Sequence, residues 1–512
     1  MEKNKAKITI NACANIVGKA ITVFSIYIFI PLYIKFLGEE SYGLVGFFAT
    51  LQAALALLGG GFSNSIRREF ASGEDNNENR LRKYQLLRSV EALFFLICMF
   101  IILLVWLGTD FIVYQWLKGN SISPDVIKTS IRMMGISIGM HICSNLYTGG
   151  LLGLEKHVTF NIIQSIFKLF KGFGAVMVLW LIMPDIRLFL LWNILVDTIN
   201  LAVIRSLVIS ALKSDVGLYW NIKLIGNIKS ILSYTVGVFF IAIFATINAQ
   251  LDKVLVSKFL TLAQLGIYSV AFSISQIPTL ITTSIVNAIF PTFTYYYSVN
   301  EIEKLKTSFK NYYNIFLIFS ISIGFFMAFY MKDLLTVWIR NSSIVEQAYI
   351  AAIILVLGNT ILSLQVIPDN YLLACKNTKI INLRNLLTTP LMFIVMPLLI
   401  IKFELIGAAF SYFVITLIGT VFYNNYIYFN FIDKNIPTWI FKYNIIPALI
   451  ALLMAGISFL INVSLKLSSV FSIILAILSG SLTLLLLLYL YVPDIIMVIY
   501  KKVRVLRWFN TL

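Results

Sequence analysis

Ile450–Ile461 reads IALLMAGISFLI and Leu484–Tyr491 reads LLLLLYLY. Neither run alternates apolar with polar residues, so each is the interior of an apolar helix and not a strand of a membrane barrel. Outward from these two runs, stretches of the same kind recur along the chain. A bilayer core about 30 Å thick is crossed by about 20 helical residues, and only helices or closed barrels satisfy the backbone there. On that measure the spans fall at 12–36, 43–65, 84–108, 130–153, 158–183, 187–212, 230–257, 265–292, 311–331, 347–372, 379–401, 405–428, 440–463 and 469–492. With 59% hydrophobic and 12% charged residues, against roughly 25% charged in an average soluble domain, a water-soluble fold is excluded. The expected fold is an all-α polytopic membrane protein of about fourteen transmembrane helices.

An even number of spans puts both ends on one side, and the basic residues choose which, because Lys and Arg of short loops are retained in the cytoplasm. A cytoplasmic amino terminus places Lys3, Lys5, Lys7, the run Arg67 to Arg88, Lys304 to Lys310, Lys376 to Arg384 and the tail from Lys501 to Arg507 on the inner face. That face then holds 25 of the 40 basic residues. The net charge of +17 is explained by this topology and by attraction to anionic lipid head groups, and no nucleic-acid motif accompanies it. Met1 to Lys7 followed by an apolar run has the outline of a signal peptide. The run continues past Ile30 without a small-residue cleavage site and carries Asn11, Asn15 and Lys19, so it is expected to stay as the first helix.

Internal repetition is the next signal. Lys35-Phe36-Leu37 precedes Gly43 as Lys258-Phe259-Leu260 precedes Gly266, a displacement of 223 residues. Leu151-Leu152 stands to Asn161 as Leu372-Leu373 stands to Asn382, a displacement of 221. Short coincidences are common in a chain so rich in Ile, Leu and Phe, but the shared offset suggests a duplication. It lays spans 1 to 6 over spans 7 to 12 in the same orientation. The expected organisation is an amino-terminal six-helix bundle over 1–222, a second over 223–430, related by a pseudo-two-fold axis, and two additional helices with a basic tail over 431–512.

Charges inside spans are costly, at least about 2.5–3.5 kcal/mol at the bilayer centre, and normally face a polar interior. Lys168 and Lys171 fall near mid-membrane in span 5, on one side of the helix with Asn161, Gln164 and Ser165. Span 6 carries Asn193, Asp197 and Asn200 on one face, with Arg205 rotated from Asp197 by about 80°. Asp197 is placed either to neutralise a lysine of span 5 or to titrate in ion or proton coupling. Lys19 shares a strip of span 1 with Asn11, Asn15 and Thr22; Asn248, Asp252 and Lys253 lie toward the outer end of span 7. Span 8 offers Ser269, Ser273, Gln276, Thr283 and Asn287 at helical spacing. Interior bases (Lys19, Lys168, Lys171, Arg205, Lys253) outnumber interior acids (Asp197, Asp252), so a cavity among these helices would attract an anion. Arg67 and Arg68 would either meet that anion at the inner end of span 2 or act as topology signals. Pro31, Pro278, Pro368 and Pro390 interrupt spans, which suits bending and is also ordinary in membrane helices.

No catalytic, metal or cofactor site is expected. Cys13, Cys98, Cys143 and Cys375 sit singly and suggest neither a disulfide nor a metal site. His141 and His157 have no partner at a metal-motif spacing, and packing is the expected role.

The first eighty positions carry a resemblance. Ile30-Pro31-Leu32-Tyr33-Ile34-Lys35-Phe36-Leu37-Gly38, then Tyr42-Gly43-Leu44, then Gly59-Gly60-Gly61-Phe62 leading to Arg67-Arg68, are similar to the Wzx-type polysaccharide flippases of bacteria. That group belongs to the multidrug, oligosaccharidyl-lipid and polysaccharide (MOP) exporter superfamily. The resemblance implies a MATE-like pair of six-helix bundles around a cavity open alternately to either side. It implies as cargo an undecaprenyl-diphosphate-linked oligosaccharide, an O-antigen or capsule repeat unit, carried to the outer leaflet of the inner membrane with ion or proton coupling. A polysaccharide polymerase and a chain-length regulator are the partners such a flippase would have, besides membrane lipids. The expected substrate-binding residues are Lys19, Arg67, Arg68, Lys168, Lys171, Arg205 and Lys253, with Asp197 and Asp252 for coupling or charge pairing.

Three other readings compete. A multidrug or cation antiporter of the same superfamily would expose acidic residues in its cavity. A membrane glycosyltransferase or O-antigen polymerase would show a large outer loop, whereas the outer connections here are shorter than about 25 residues. A structural scaffold would leave the buried lysines without a purpose.

Overall fold

The computed structural model describes residues 2–72, 76–212, 243 and 246–493, without the side chains of 2–23, 26, 57–62, 284–285 and 287–288. Most of the expected span 230–257 therefore lies outside the described residues. So do Lys501 to Arg507, and the side chains of Asn11, Cys13, Asn15, Lys19, Thr22 and Asn287.

Every other expected span has a helix. Glu2–Ala71 forms an apparent 70-residue helix that breaks at Gly38, where φ is 77° and ψ 173°. Unbroken, it would measure about 105 Å, several bilayer cores, so the break divides it into the first two spans. Only glycine takes that backbone without penalty. Lys379–Ile427 is divided in the same way at Glu404, with φ 50° and ψ −126°, between the spans expected at 379–401 and 405–428. The span expected at 265–292 is bent by 44° between Leu262–Ser275 and Ile277–Thr283, immediately before Pro278, whose ring cannot continue the helix through the preceding turn. Eight helices among the described residues are long and apolar enough to cross a bilayer, or nine with this bent pair. Large side chains such as Phe95, Leu398, Ile401, Leu453, Leu460 and Leu485 stand exposed, as a hydrocarbon solvent requires and water forbids. The protein is a multi-pass membrane protein, all-helical over its described residues.

The chain divides into two compact units, Met1–Gly266 and Ile267–Leu512. In the first, Pro124–Gly153 is the central helix, packed by Glu2–Ala71, Asn77–Leu107 and Ile186–Ala211. Ile131, Met134, Ile138, Ile142, Leu146 and Leu151 are all buried along it. His157–Leu181 packs against Glu2–Ala71 and Ile186–Ala211.

The two copies of the repeated sequence motif meet inside this unit. A Cβ on Gly43 would stand 1.9 Å from the Leu262 carbonyl oxygen, and a Cβ on Gly266 would stand 2.3 Å from the Glu39 carbonyl oxygen. Each glycine therefore lies against the residue four positions before the other. This reciprocal contact is what a local two-fold relation between the copies produces, and it needs glycine on both sides. Around it, Glu40 accepts from the backbone N–H of Asn120 at 2.6 Å and of Ser121 at 2.8 Å. Lys118 Nζ donates to the Phe259 carbonyl at 2.8 Å, Leu262 N–H to the Lys118 carbonyl at 3.0 Å, and Lys258 Nζ to the Gln115 carbonyl. Hydrogen bonds to a buried carboxylate contribute about 1.5–3 kcal/mol. Glu40→Ala is accordingly expected to raise amide exchange at Asn120 and Ser121 by roughly tenfold or more, while exchange in the middle of Pro124–Gly153 stays as in the parent.

In the second unit Ile302–Phe329 is the hub, packed by Ser342–Ser363, Ile446–Leu465 and Ser469–Tyr491. The last two spans thus dock on this unit's core. Trp439 stacks on Tyr428 with ring centroids 3.9 Å apart and contacts Tyr313 at 4.4 Å, with Phe309 and Tyr371 behind. At the loop before Trp439, Lys310 Nζ donates to Asp433 at 2.8 Å and holds that carboxyl below its usual range.

Candidate functional site

Helix geometry brings three elements of the first unit together at mid-membrane depth. Lys171 is 14 residues into His157–Leu181 and Asp197 is 11 into Ile186–Ala211, about 21 Å and 16 Å along helices that cross in opposite directions. Lys171 Nζ donates to both carboxylate oxygens of Asp197, at 2.8 and 2.9 Å. Ser137 Oγ, from the central helix, donates to Asp197 Oδ2 at 2.6 Å. Asp197 is 8% exposed, and a carboxylate so buried is stable in its ionised form only with such donors. Lys168 is exposed on the same helix and within electrostatic reach of Lys171. His141 lies within reach of Asp197, Lys171 and Lys168, although its spacing in sequence gave no sign of this group. One turn beyond Asp197, Asn200 Oδ1 is buried without a hydrogen-bond partner among the described residues.

Arg205 stands apart from this group. Eight residues beyond Asp197, it lies about 12 Å further along the helix, where its Nε donates to Glu91 Oε1 at 3.1 Å. Arg88 donates to the same carboxylate, and the Tyr147 hydroxyl joins at 2.7 Å. Lys253 is 3.5 Å from its neighbour Asp252. The basic surplus counted from the sequence is therefore smaller in space: Lys171, Arg205 and Lys253 each face a carboxylate. Arg67 and Arg68 are exposed at the end of Glu2–Ala71, and Arg67 makes no ion pair among the described residues. Its carbonyl oxygen would be 2.7 Å from a Cβ on Gly153, so both arginines sit where the central helix ends. The hydroxyls of Ser273 and Thr283 donate back to their own helix.

Two groupings escaped the sequence. Cys98 and Cys143 are not solitary: their sulfurs are 2.7 Å apart, and Cys98 Sγ lies 3.2 Å from the Gly139 carbonyl. Both are free thiols, brought together because Asn77–Leu107 packs on Pro124–Gly153. In the second unit Arg384 Nη1 donates to Asp369 Oδ1 at 2.9 Å and lies 4.4 Å over the Tyr423 ring, whose hydroxyl also donates to Asp369. An acid within an apolar stretch after Pro368 was the available signal. No cluster of metal-ligating residues occurs among the described residues.

A break at Gly38, a repeated motif in self-contact and a buried ion pair at mid-membrane depth describe a transporter-like helical bundle. The sequence model of the family described as "Polysaccharide biosynthesis protein" matches residues 8–297, more than half of the chain. The chain belongs to this family. Comparison with curated proteins by sequence gives no significant match. Among solved structures, this member of the family resembles the lipid II flippase MurJ in an inward closed conformation, with TM-score 0.72 at 17% identity over 95% of this chain and 100% of that one. It also resembles an inward-facing multidrug resistance transporter of the MATE family of the MOP superfamily, with TM-score 0.63 at 12% identity over 80% and 94%. A MOP superfamily transporter from Pyrococcus furiosus, described by the reverse polarity of its binding pocket, gives TM-score 0.56 at 12% identity over 82% and 96%. At these identities the likeness is one of fold. The family member shares the fold of these flippases and transporters.

Proposed function

We propose that this protein moves an undecaprenyl-diphosphate-linked oligosaccharide, an O-antigen or capsule repeat unit, from the cytoplasmic to the outer leaflet of the bacterial inner membrane by alternating access. The observation that carries the reading is the basic group at mid-membrane, Lys168 and Lys171 beside Asp197, within a chain of the polysaccharide biosynthesis family. MurJ, of the same fold, is named for flipping lipid II. In this reading the termini are cytoplasmic, the repeated bundles are 1–222 and 223–430, and 431–512 is appended. A polymerase and a chain-length regulator would take up the product.

The chemistry follows from the ion pair. Lys168, Lys171 and Lys19 receive the diphosphate as point charges, and Arg67 and Arg68 meet it as it enters from the cytoplasm. When Lys171 turns from Asp197 to the diphosphate, Asp197 loses its counter-charge in low dielectric. Loading favours closure toward the cytoplasm, and a proton or ion entering from the outer side near Asp197 or Asp252 changes that balance, so that release follows. Asp252 beside Lys253 would serve as a second such pair. The reciprocal contact of Gly43 with Gly266 is the one that opening to the outer side must part.

An antiporter for organic cations is the second reading, favoured by the MATE resemblance and opposed by the sign of the mid-membrane group. The test replaces Lys168 and Lys171 together by Ala in a strain lacking its own flippase. Inserted protein with surface polysaccharide reduced at least about tenfold is expected, and undiminished polymer would remove the lysines from the mechanism.

A further inference from the structure

A groove of about 370 Å³ runs over the central helix Pro124–Gly153, between Asn77–Leu107 and Ile186–Ala211. Arg88, Glu91 and Phe95 line one wall, Cys143 and Tyr147 the floor, and Arg205 the other wall. Glu91 binds Arg88 through Nη1 and Arg205 through Nε. A guanidinium carries about five N–H donors, so most of the donors on these two lining residues remain beyond Glu91. Two guanidiniums against one carboxylate leave one net positive charge in the groove.

Its depth and its walls select the ligand. Arg205 and Tyr147 each stand six residues from the ends of their helices, Ala211 and Gly153, about 9 Å along the axis. That is the level of the boundary between head groups and acyl chains, roughly 5–10 Å from the surface. Away from the arginines the rim becomes hydrocarbon: Phe95 is 63% exposed, and Met99 and Leu103 on its helix and Leu191 and Leu195 on the facing one are exposed as well. Glu2–Ala71 is among the helices packed on the floor helix. A ligand with a phosphate at one end and acyl chains at the other matches both parts.

We propose that this groove holds an anionic phospholipid from the leaflet at the Arg67 and Arg68 face, its phosphate between Arg88 and Arg205 and an acyl chain along Phe95. The site is separate from the Lys168 and Lys171 group and does not depend on what the protein carries.

Full-length protein in phosphatidylcholine nanodiscs doped with phosphatidylglycerol, with bound lipids counted by native mass spectrometry, tests this. Wild type is expected to retain phosphatidylglycerol over phosphatidylcholine, and Arg88→Gln and Arg205→Gln each to reduce that retention about tenfold. Glu91→Gln, which raises the positive charge of the groove, is expected to increase it. A fold merely damaged by substitution would lower retention in all three, so the opposite sign for Glu91→Gln separates recognition from damage. Equal retention in wild type and both arginine variants, or a fall in Glu91→Gln, overturns the proposal. Displacement by inorganic phosphate alone overturns it too, since the acyl wall would then contribute nothing. Displacement by undecaprenyl phosphate in preference to phosphatidylglycerol overturns it by making the groove part of a cargo path.

Discussion

Lys171→Ala is expected to be the most damaging single charge substitution in the first unit, and Asp197→Asn added to it is expected to restore the fold without restoring transport. Removing one partner of a buried ion pair costs about 3–5 kcal/mol, because the remaining charge is stranded. Here the stranded group is Asp197, left with Ser137 as its one other hydrogen-bond donor among the described residues. Replacing the acid by its amide removes the stranded charge, so the double variant should recover most of the thermal stability measured in detergent. It still lacks an ammonium for the diphosphate, and a charge-assisted hydrogen bond of about 1.5–3 kcal/mol corresponds to roughly tenfold or more in affinity. Melting by intrinsic fluorescence together with surface polysaccharide in the flippase-deficient strain separates the two effects. Full transport by the stable double variant would show that the pair only joins two helices.

The second large effect is expected at Gly43 and Gly266. Carbon to carbonyl-oxygen contacts settle at about 3.3–3.6 Å, whereas a methyl on Gly43 would begin 1.9 Å from the Leu262 oxygen and one on Gly266 2.3 Å from the Glu39 oxygen. The atoms opposite are backbone, which cannot rotate away, so the helices must part. Overpacking of this kind costs about 1–3 kcal/mol, and a bias of that size shifts a two-state equilibrium about 5- to 150-fold. Gly43→Ala and Gly266→Ala should each lengthen the distance between spin labels placed at Lys35 and Lys258 and reduce polysaccharide export. Gly456→Ala is the control, because its Cβ would meet only Phe329 at 3.8 Å, an ordinary contact, and no change is expected there.

The sequence carried the membrane fold and part of the site, for reasons visible in single residues. Apolar length is a local property, so Ile450–Ile461 announces its helix without knowledge of any neighbour. The pairing of Lys171 with Asp197 was legible because both lie near the middle of consecutive spans. Arg205 was grouped with Asp197 on rotation alone, and rotation ignores the 12 Å or so of rise between them. That rise carries Arg205 to Glu91, an acid of span 3. Cys98 and Cys143 are 45 residues apart, beyond any spacing motif, and they meet only because two helices pack. The repeat of Gly43 at Gly266 was readable, but not that the two copies touch. Asp369, Arg384 and Tyr423 come from Val366–Ala374 and from either side of the break within Lys379–Ile427, a break that no glycine marks.

The central claim, that the basic group at mid-membrane serves an anionic lipid-linked sugar, is tested most directly by reconstitution. Purified protein in vesicles carrying a fluorescent undecaprenyl-diphosphate-linked oligosaccharide in one leaflet is expected to move it to the other, faster when a proton gradient is imposed, and Lys168→Ala with Lys171→Ala is expected to abolish the movement. No movement of that lipid, with uptake of a cationic dye by the same vesicles that survives loss of both lysines, would contradict the account.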